Sequence, residues 1–294
     1  MKSSRFRAAA DFTPNMLPTT RRQVFSDVLK IHWKRLLTLG CLMMLFTLPL
    51  SISQWMQDAY NMYVQAVAAQ SEPTEAEAMY YTIATMDGIR QMVNVLLWGI
   101  MGVGMAGTSR IIRQLAWGEH IYLLRDFIRG IRDNGKHMVL LFALVGFTYG
   151  MCRGVIGMLP YGPESLTLVS FIQVALSVVV ALPMCALCLT MIPVYKNTLK
   201  QYMRLSFAVY LKTNLKTLFA TFCAVILYVP LLLPLPFVHI IGGVVYTLLI
   251  PYVFLGWTLY TYEVFDKHIN PHYYPELVGR GLFCEDSPCT EKSE

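Results

Sequence analysis

Apolar residues along this chain fall into long uninterrupted blocks, not the short stripes that alternate with polar residues in a soluble fold. Leu36 to Trp55 forms the first block, Met92 to Thr108 the second, and Met138 to Pro160 the third, interrupted near its end by Arg153. Ser165 to Tyr195 carries no charge, and neither does the still longer stretch from Thr217 to Tyr262. A membrane-crossing helix needs about 20 predominantly apolar residues, so the last stretch is too long for one crossing and fits two. Its turn is expected at Pro230-Leu-Leu-Leu-Pro234-Leu-Pro236. Proline removes a backbone donor and biases its predecessor away from helix. The pattern predicts an all-α fold, a polytopic membrane helical bundle of six transmembrane helices, the fifth and sixth forming a tight hairpin.

The segments between blocks set the orientation. Every Lys and Arg except Arg90 and Arg153 lies in residues 1-35, 109-137, 196-216 or 263-294. Residues 56-89 contain no Lys or Arg but include Asp58, Glu72, Glu75, Glu77 and Asp87. Short loops rich in Lys and Arg stay in the cytoplasm. Residues 1-294 are therefore read as one membrane domain, with a basic cytoplasmic N-terminal segment, an external loop at 56-89, cytoplasmic amphipathic segments at 109-137 and 196-216, and a cytoplasmic tail at 263-294. The basic start has no apolar run suited to a signal peptide, so the first block is expected to remain as a helix. The net charge of +6 follows from this topology, and no nucleic-acid partner is expected.

Two basic segments are patterned as helices. In 109-137, Ile121, Leu124, Phe127, Ile128 and Ile131 recur at three and four residues, with Arg125, Arg129 and Arg132 on another face. In 196-216, Lys196, Lys200 and Arg204 stack at every fourth position beside the apolar stripe Leu199, Tyr202, Leu205 and Val209. These six basic residues are candidate contacts for anionic lipid headgroups, each contributing about 1 kcal/mol near such a surface, or for a protein partner. The competing reading is that the stripes pack on the protein's own loops.

The pattern F-x3-[IL]-[KR]-x-[HN]-x-K also occurs three times, starting at Phe25, Phe127 and Phe207 and ending at Lys34, Lys136 and Lys216. It predicts three hairpin units in a three-fold repeat, each led by a short surface helix, with His32, Asn134 and Asn214 in matching positions. The alternative is the positive-inside rule seen three times.

Composition fits a lipid-facing surface: 55% of residues are apolar, 14% are charged and mean hydropathy is +0.48. Ionisable residues are costly at membrane depth and mark function there. Arg153 is the candidate intramembrane polar site, expected near the outer interface and snorkelling, close to Glu164. Cys185 and Cys188 form a C-x-x-C inside an uncharged run and are read as packing residues. The glycines of the second block favour close helix approach, and Pro183 and Pro251 interrupt apolar runs as in broken transporter helices. No HExxH, GxSxG or P-loop occurs. No catalytic, cofactor-binding or metal residues are assigned, and an enzyme is not expected.

Two stretches carry a resemblance. One is Gly107-Thr-Ser-Arg110 with Arg113, Gly118-Glu119, Asp126-Phe127 and Asn134-x-Lys136; the other is Phe265-Asp266-Lys267-x-x-Asn270-Pro271-x-x-Tyr274-Pro275-Glu276 with Gly281-Leu282. They resemble the YesL-like family of bacterial multi-pass membrane proteins, a family without an established biochemical function whose members often accompany carbohydrate-uptake genes in Gram-positive bacteria. The resemblance implies a bacterial plasma membrane setting near sugar import, and it assigns no catalytic residues. The expected role is a non-enzymatic accessory, assembly or sensing component of a membrane transport complex. The alternative is a transporter or channel in its own right, and a cavity at the membrane midplane would distinguish them.

Overall fold

The computed structural model describes residues 18-158, 164-226 and 236-283 and is helical throughout its long elements. The first helix, α1 (Arg21–Ala68), starts where Thr20 and Gln23 form a reciprocal capping box, satisfying backbone N–H groups that have no helical partner. At 1.5 Å per residue its 48 residues span about 72 Å, over twice the roughly 30 Å hydrocarbon layer. After a short turn, α2 (Pro73–Val93) opens on a proline, which suits a first helical position, and α3 (Val95–Ala116) follows directly past Asn94. Residues 56-89, read from the sequence as an external loop, are thus a helical hairpin prolonging the bundle. Between Met56 and Ala68 no Pro or Gly stops α1.

The remaining helices are α4 (Leu123–Met158), α5 (Glu164–Leu176), α6 (Leu182–Met191), α7 (Leu199–Val225), α8 (Pro236–His268) and the short α9 (Asn270–Tyr273), with a 3-10 turn at Pro275–Leu277. A π-helical turn, Ser177–Ala181, joins α5 to α6. Pro183 cannot donate to the Val179 carbonyl, which instead accepts from the Tyr210 hydroxyl of α7. The interruption is therefore fastened from a neighbouring helix.

Among the described residues five helical stretches are long and apolar enough to cross a membrane: Arg21–Ala68, Pro73–Ala116, Leu123–Ile156, Leu168–Met191 and Ile241–His268. The expected fifth crossing begins in the second half of α7, and its continuation through Pro230 and Pro234 lies outside the described residues.

Close packing depends on glycine. A Cβ on Gly102 would lie 2.8 Å from the Met138 carbonyl oxygen, and one on Gly107 would lie 2.6 Å from the Phe127 ring, so α3 and α4 make the most extensive helix contact among the described residues. The next is α1 with α8, where a Cβ on Gly40 would meet the Leu248 backbone at 2.9 Å. Helix α7 packs more on α6 than on α8. The hairpin expected between the fifth and sixth crossings is accordingly not a close pair among the described residues.

The three F-x3-[IL] segments are all helical, but they run into their crossings without forming separate surface helices. Their phenylalanines sit in unlike surroundings: Phe127 is 3% exposed, Phe25 is half-buried and Phe207 is 42% exposed. Asn214 departs from helical geometry (φ 18°, ψ −95°) and kinks α7. His32 and Asn134 lie within unbroken helix.

At the end of the bundle rich in Lys and Arg, the tail folds back as a clasp. Arg21 pairs with Asp266 at 2.8 Å and donates to the Arg280 carbonyl at 2.8 Å. Arg280 pairs with Glu119 at 3.1 Å and lies over the Trp117 ring. Gly281 (φ 86°) takes a left-handed conformation that brings its backbone against Ala116, a conformation and an approach that other residues resist. Tyr195 donates to Asn270 at 2.6 Å, and Tyr202 donates to the Tyr195 carbonyl. Burial pushes both phenols up, so they remain neutral donors.

Candidate functional site

A half-open cavity of about 420 Å³ lies between α1, α3, α4, α6, α7 and α8. Thr47 of α1 lies on its wall, about 16 Å along the helix from Leu36 and so about half-way through a hydrocarbon layer of roughly 30 Å. Helical spacing supplies the lining: Trp98, Met101 and Met105 from α3, and Phe142, Val145 and Tyr149 from α4. Trp98 fits because Gly146 opposite it lacks a side chain; a Cβ there would lie 2.4 Å from the indole. Polar groups are few. Thr47 and Thr247 hydrogen-bond across the wall at 3.0 Å, Thr221 of α7 also lines it and is buried, and Trp257 donates to the Ala186 carbonyl at 2.8 Å. The Trp98 indole N–H is buried without a hydrogen-bond partner among the described residues. A largely apolar pocket of this size with a few placed polar groups is the usual form of a small-molecule site.

Above the cavity, toward the acidic hairpin, lies a layer of amides. Gln54 and Gln91 exchange two side-chain hydrogen bonds at 2.9 Å, and Gln91 also donates to Gln57 at 3.1 Å. Ser53 donates to Asn94 at 2.9 Å. One helical turn further is an ionisable layer, because Asp58 follows Gln54 by four residues, Asp87 precedes Gln91 by four, and Arg153 follows Tyr149 by four. Arg153 pairs with Asp87 at 3.2 Å. Asp58, 2% exposed, acts electrostatically on both Arg153 and Tyr149. Gln54 and Tyr149 belong to the cavity wall and to this polar cap at once. Helix α1, helix α4 and the consecutive pair α2–α3 thus present the same order, apolar wall, neutral polar group and ionisable group.

Arg153 is half-buried in this polar layer with Asp87 as its partner; the Glu164 side chain lies outside the described residues. Sequence reasoning missed Asp58, Asp87 and Gln57 as site residues by assigning 56-89 to an external loop, and missed Gln54 and Gln91 at the edges of that segment. The signal was present in the spacing of Ser53, Gln54, Gln57, Asp58 and Asn61, a polar face on a continuing helix.

The other candidates lie at the opposite end. Arg125, Arg129, Arg132, Lys196, Lys200 and Arg204 are all exposed. Beside the arginines, Leu124 and Ile128 are also exposed, whereas Ile121 and Phe127 are buried. That stripe splits between core and surface. Beside the lysines, Tyr202 and Val209 are buried and Leu199 and Leu205 half-buried, so this stripe packs on the protein itself. Cys185 and Cys188 are buried, and Cys188 Sγ lies 3.0 Å from Ser206 Oγ and 3.5 Å from Met203 Sδ. Compared with known proteins, the chain matches no family model, no curated protein and no solved structure.

Proposed function

We propose that this protein is a non-enzymatic membrane component that binds a small apolar-bodied ligand in its core, serving a transport system as an accessory or sensing partner. The cavity at mid-depth supports this reading: it is large enough for a ligand and lined almost wholly by apolar and aromatic side chains. The distribution of Lys and Arg favours a bacterial plasma membrane protein with the clasped end in the cytoplasm and the acidic hairpin outside. The motif residues of the clasp, Asp266, Asn270, Tyr274 and Gly281, support a YesL-like protein working near carbohydrate uptake.

Trp98 and Trp257 on the cavity wall provide the test. Bromine quenches indole emission on contact, so 11-bromoundecanol should quench the protein in nanodiscs more than it quenches a Thr247→Phe variant with the cavity filled. Equal quenching would remove the ligand-binding reading. The transporter reading is favoured by the same cavity lying beneath a buried ionisable layer. Uptake of a labelled sugar or ion by the purified protein alone in liposomes would establish it over the accessory role.

A further inference from the structure

We infer that the interface of α6 with α7 is a binding site for one soft monovalent metal ion, copper(I), held by Cys188, Met191 and Met203. The inference is independent of the cavity reading. On α6, Leu182, Ala186 and Leu189 line the cavity, whereas Cys188 and Met191 lie on another face and meet the first turns of α7. Cys188 Sγ is 3.5 Å from Met203 Sδ and 3.0 Å from Ser206 Oγ, and the Ser206 hydroxyl is 3.3 Å from Met191 Sδ. Cys188, Met191 and Ser206 are fully buried, and Met203 is half-buried.

Two features of this cluster go beyond packing. The first is a shortage of protons: Cys188 and Ser206 bring one hydrogen each and the thioethers none, yet there are three close contacts. Lone pairs converge where hydrogen bonds run out, and a metal ion satisfies them. The second is Ser206 itself. Buried hydroxyls elsewhere in these helices, Thr108, Thr221 and Thr247 among them, donate to the carbonyl one turn back, whereas the described partners of Ser206 are two sulfurs of the neighbouring helix.

The donor set selects the ion. Thiolate and thioether sulfurs are soft ligands that suit copper(I). Among the described residues no three His, Cys, Asp or Glu side chains are placed to hold a metal, so the site depends on its two thioethers. Binding releases the Cys188 thiol proton to solvent and forms a sulfur–copper bond, with no change of oxidation state. One thiolate and one monovalent ion make a neutral centre suited to apolar surroundings, whereas a divalent ion would leave a net charge buried there. Two sulfurs each bound at about 2.3 Å, the length of a zinc–thiolate bond, stand about 4 Å apart in a trigonal set, so Cys188 and Met203 need to part by only about 0.5 Å, a small adjustment for a side chain with three rotatable bonds. Half-buried Met203 is the ligand with an accessible part, which makes it the point of entry.

Anaerobic titration of the full chain with copper(I) against bathocuproine disulfonate, a chelator that colours on taking the ion, tests the site. The unaltered protein is expected to withhold one copper(I) per chain and to melt at a higher temperature with it. Met191→Leu and Met203→Leu keep the side-chain volume and every cysteine, so each should melt like the metal-free parent while binding copper(I) at least about tenfold more weakly. The double leucine variant and Cys188→Ser should withhold none, and zinc(II) should leave the parent's melting unchanged. The inference is overturned if the parent surrenders all its copper to the chelator, if the double leucine variant withholds as much as the parent, or if zinc(II) stabilises the protein as copper(I) does. Should Cys188→Ser fail to fold, the leucine variants still decide.

Discussion

The two ends of this bundle are built from similar residues to opposite effect. At the basic end Arg21, Glu119, Asp266 and Arg280 are joined in pairs that tie the tail to α1 and to the end of α3. At the acidic end Gln54, Gln57 and Gln91 bond chiefly to one another, above a space wide enough for a ligand. Polar groups at the first end connect elements distant in sequence and hold them. At the second they also join different helices, but they roof a cavity instead of closing on a packed tail. Buried polar pairs in this bundle thus stand in two settings, and the difference lies in whether open space adjoins them.

The largest expected effect lies in the clasp. Asp266→Ala leaves the Arg21 guanidinium, almost wholly buried, without its carboxylate. Breaking a buried pair in this way costs about 3–5 kcal/mol, so a marked fall in melting temperature is expected in detergent. A melting temperature within a degree or two of the parent would mean that the tail is not a structural clasp. At the acidic end the corresponding change, Gln91→Leu, removes three amide hydrogen bonds but leaves partners that can reach one another. It should cost about 1–3 kcal/mol, less than the clasp variant, and a larger loss than Asp266→Ala would reverse the comparison.

A finer distinction comes from Arg153→Gln, which leaves Asp87 without its guanidinium in the layer over the cavity. The Arg153 side chain is less buried than that of Arg21, so stability should fall by about 1–3 kcal/mol, less than for Asp266→Ala, when melting is followed in detergent. A loss as large as that of the clasp variant would show that the acidic end is closed as firmly as the basic end.

Crossings and charge asymmetry were legible in the sequence because both depend on local composition: Leu36–Trp55 lies inside α1 and residues 138-158 inside α4, with Leu159 and Pro160 outside the described residues. The site was not legible, for a physical reason. Asp58 and Asp87 are polar residues just past apolar blocks, and composition alone places such residues in water. Only the continuation of α1 and α2 beyond the hydrocarbon thickness turns the pair inward, and hydropathy does not register that continuation. Tyr149 and Arg153 likewise read as isolated polar positions until α2 lies beside them. The clasp was partly legible, since the tail motif was singled out, but its partners Arg21 and Glu119 are set by folding and not by spacing.

The placement of the two ends is open to test by reporter fusions, which change no stability and give a yes-or-no answer. A fusion at Glu75 in the α1–α2 turn region should report the outside, and fusions at Gly118 and Lys200 the inside. Cytoplasmic activity at Glu75 would invert the comparison and put the polar layer over the cavity on the inner face.

The smallest effect expected is at the exposed arginines of α4. Arg125, Arg129 and Arg132 lie beside exposed Leu124 and Ile128, an arrangement suited to an interface between water and lipid. Arg129 is 3.9 Å from Asp133, a long and exposed contact that holds it weakly, so the guanidinium is free to meet a phosphate. Each arginine near an anionic surface contributes about 1 kcal/mol of attraction. Replacing all three by glutamine should leave melting in neutral nanodiscs unchanged and should abolish the added stability that anionic lipid gives the parent protein. Because the attraction is screened within about 10 Å at 0.1 M salt, the parent's gain from anionic lipid should also shrink as salt rises. A gain that persists in the triple variant would transfer the lipid contact to Lys196, Lys200 and Arg204, whose own apolar stripe is already used in packing and whose charges alone face outward.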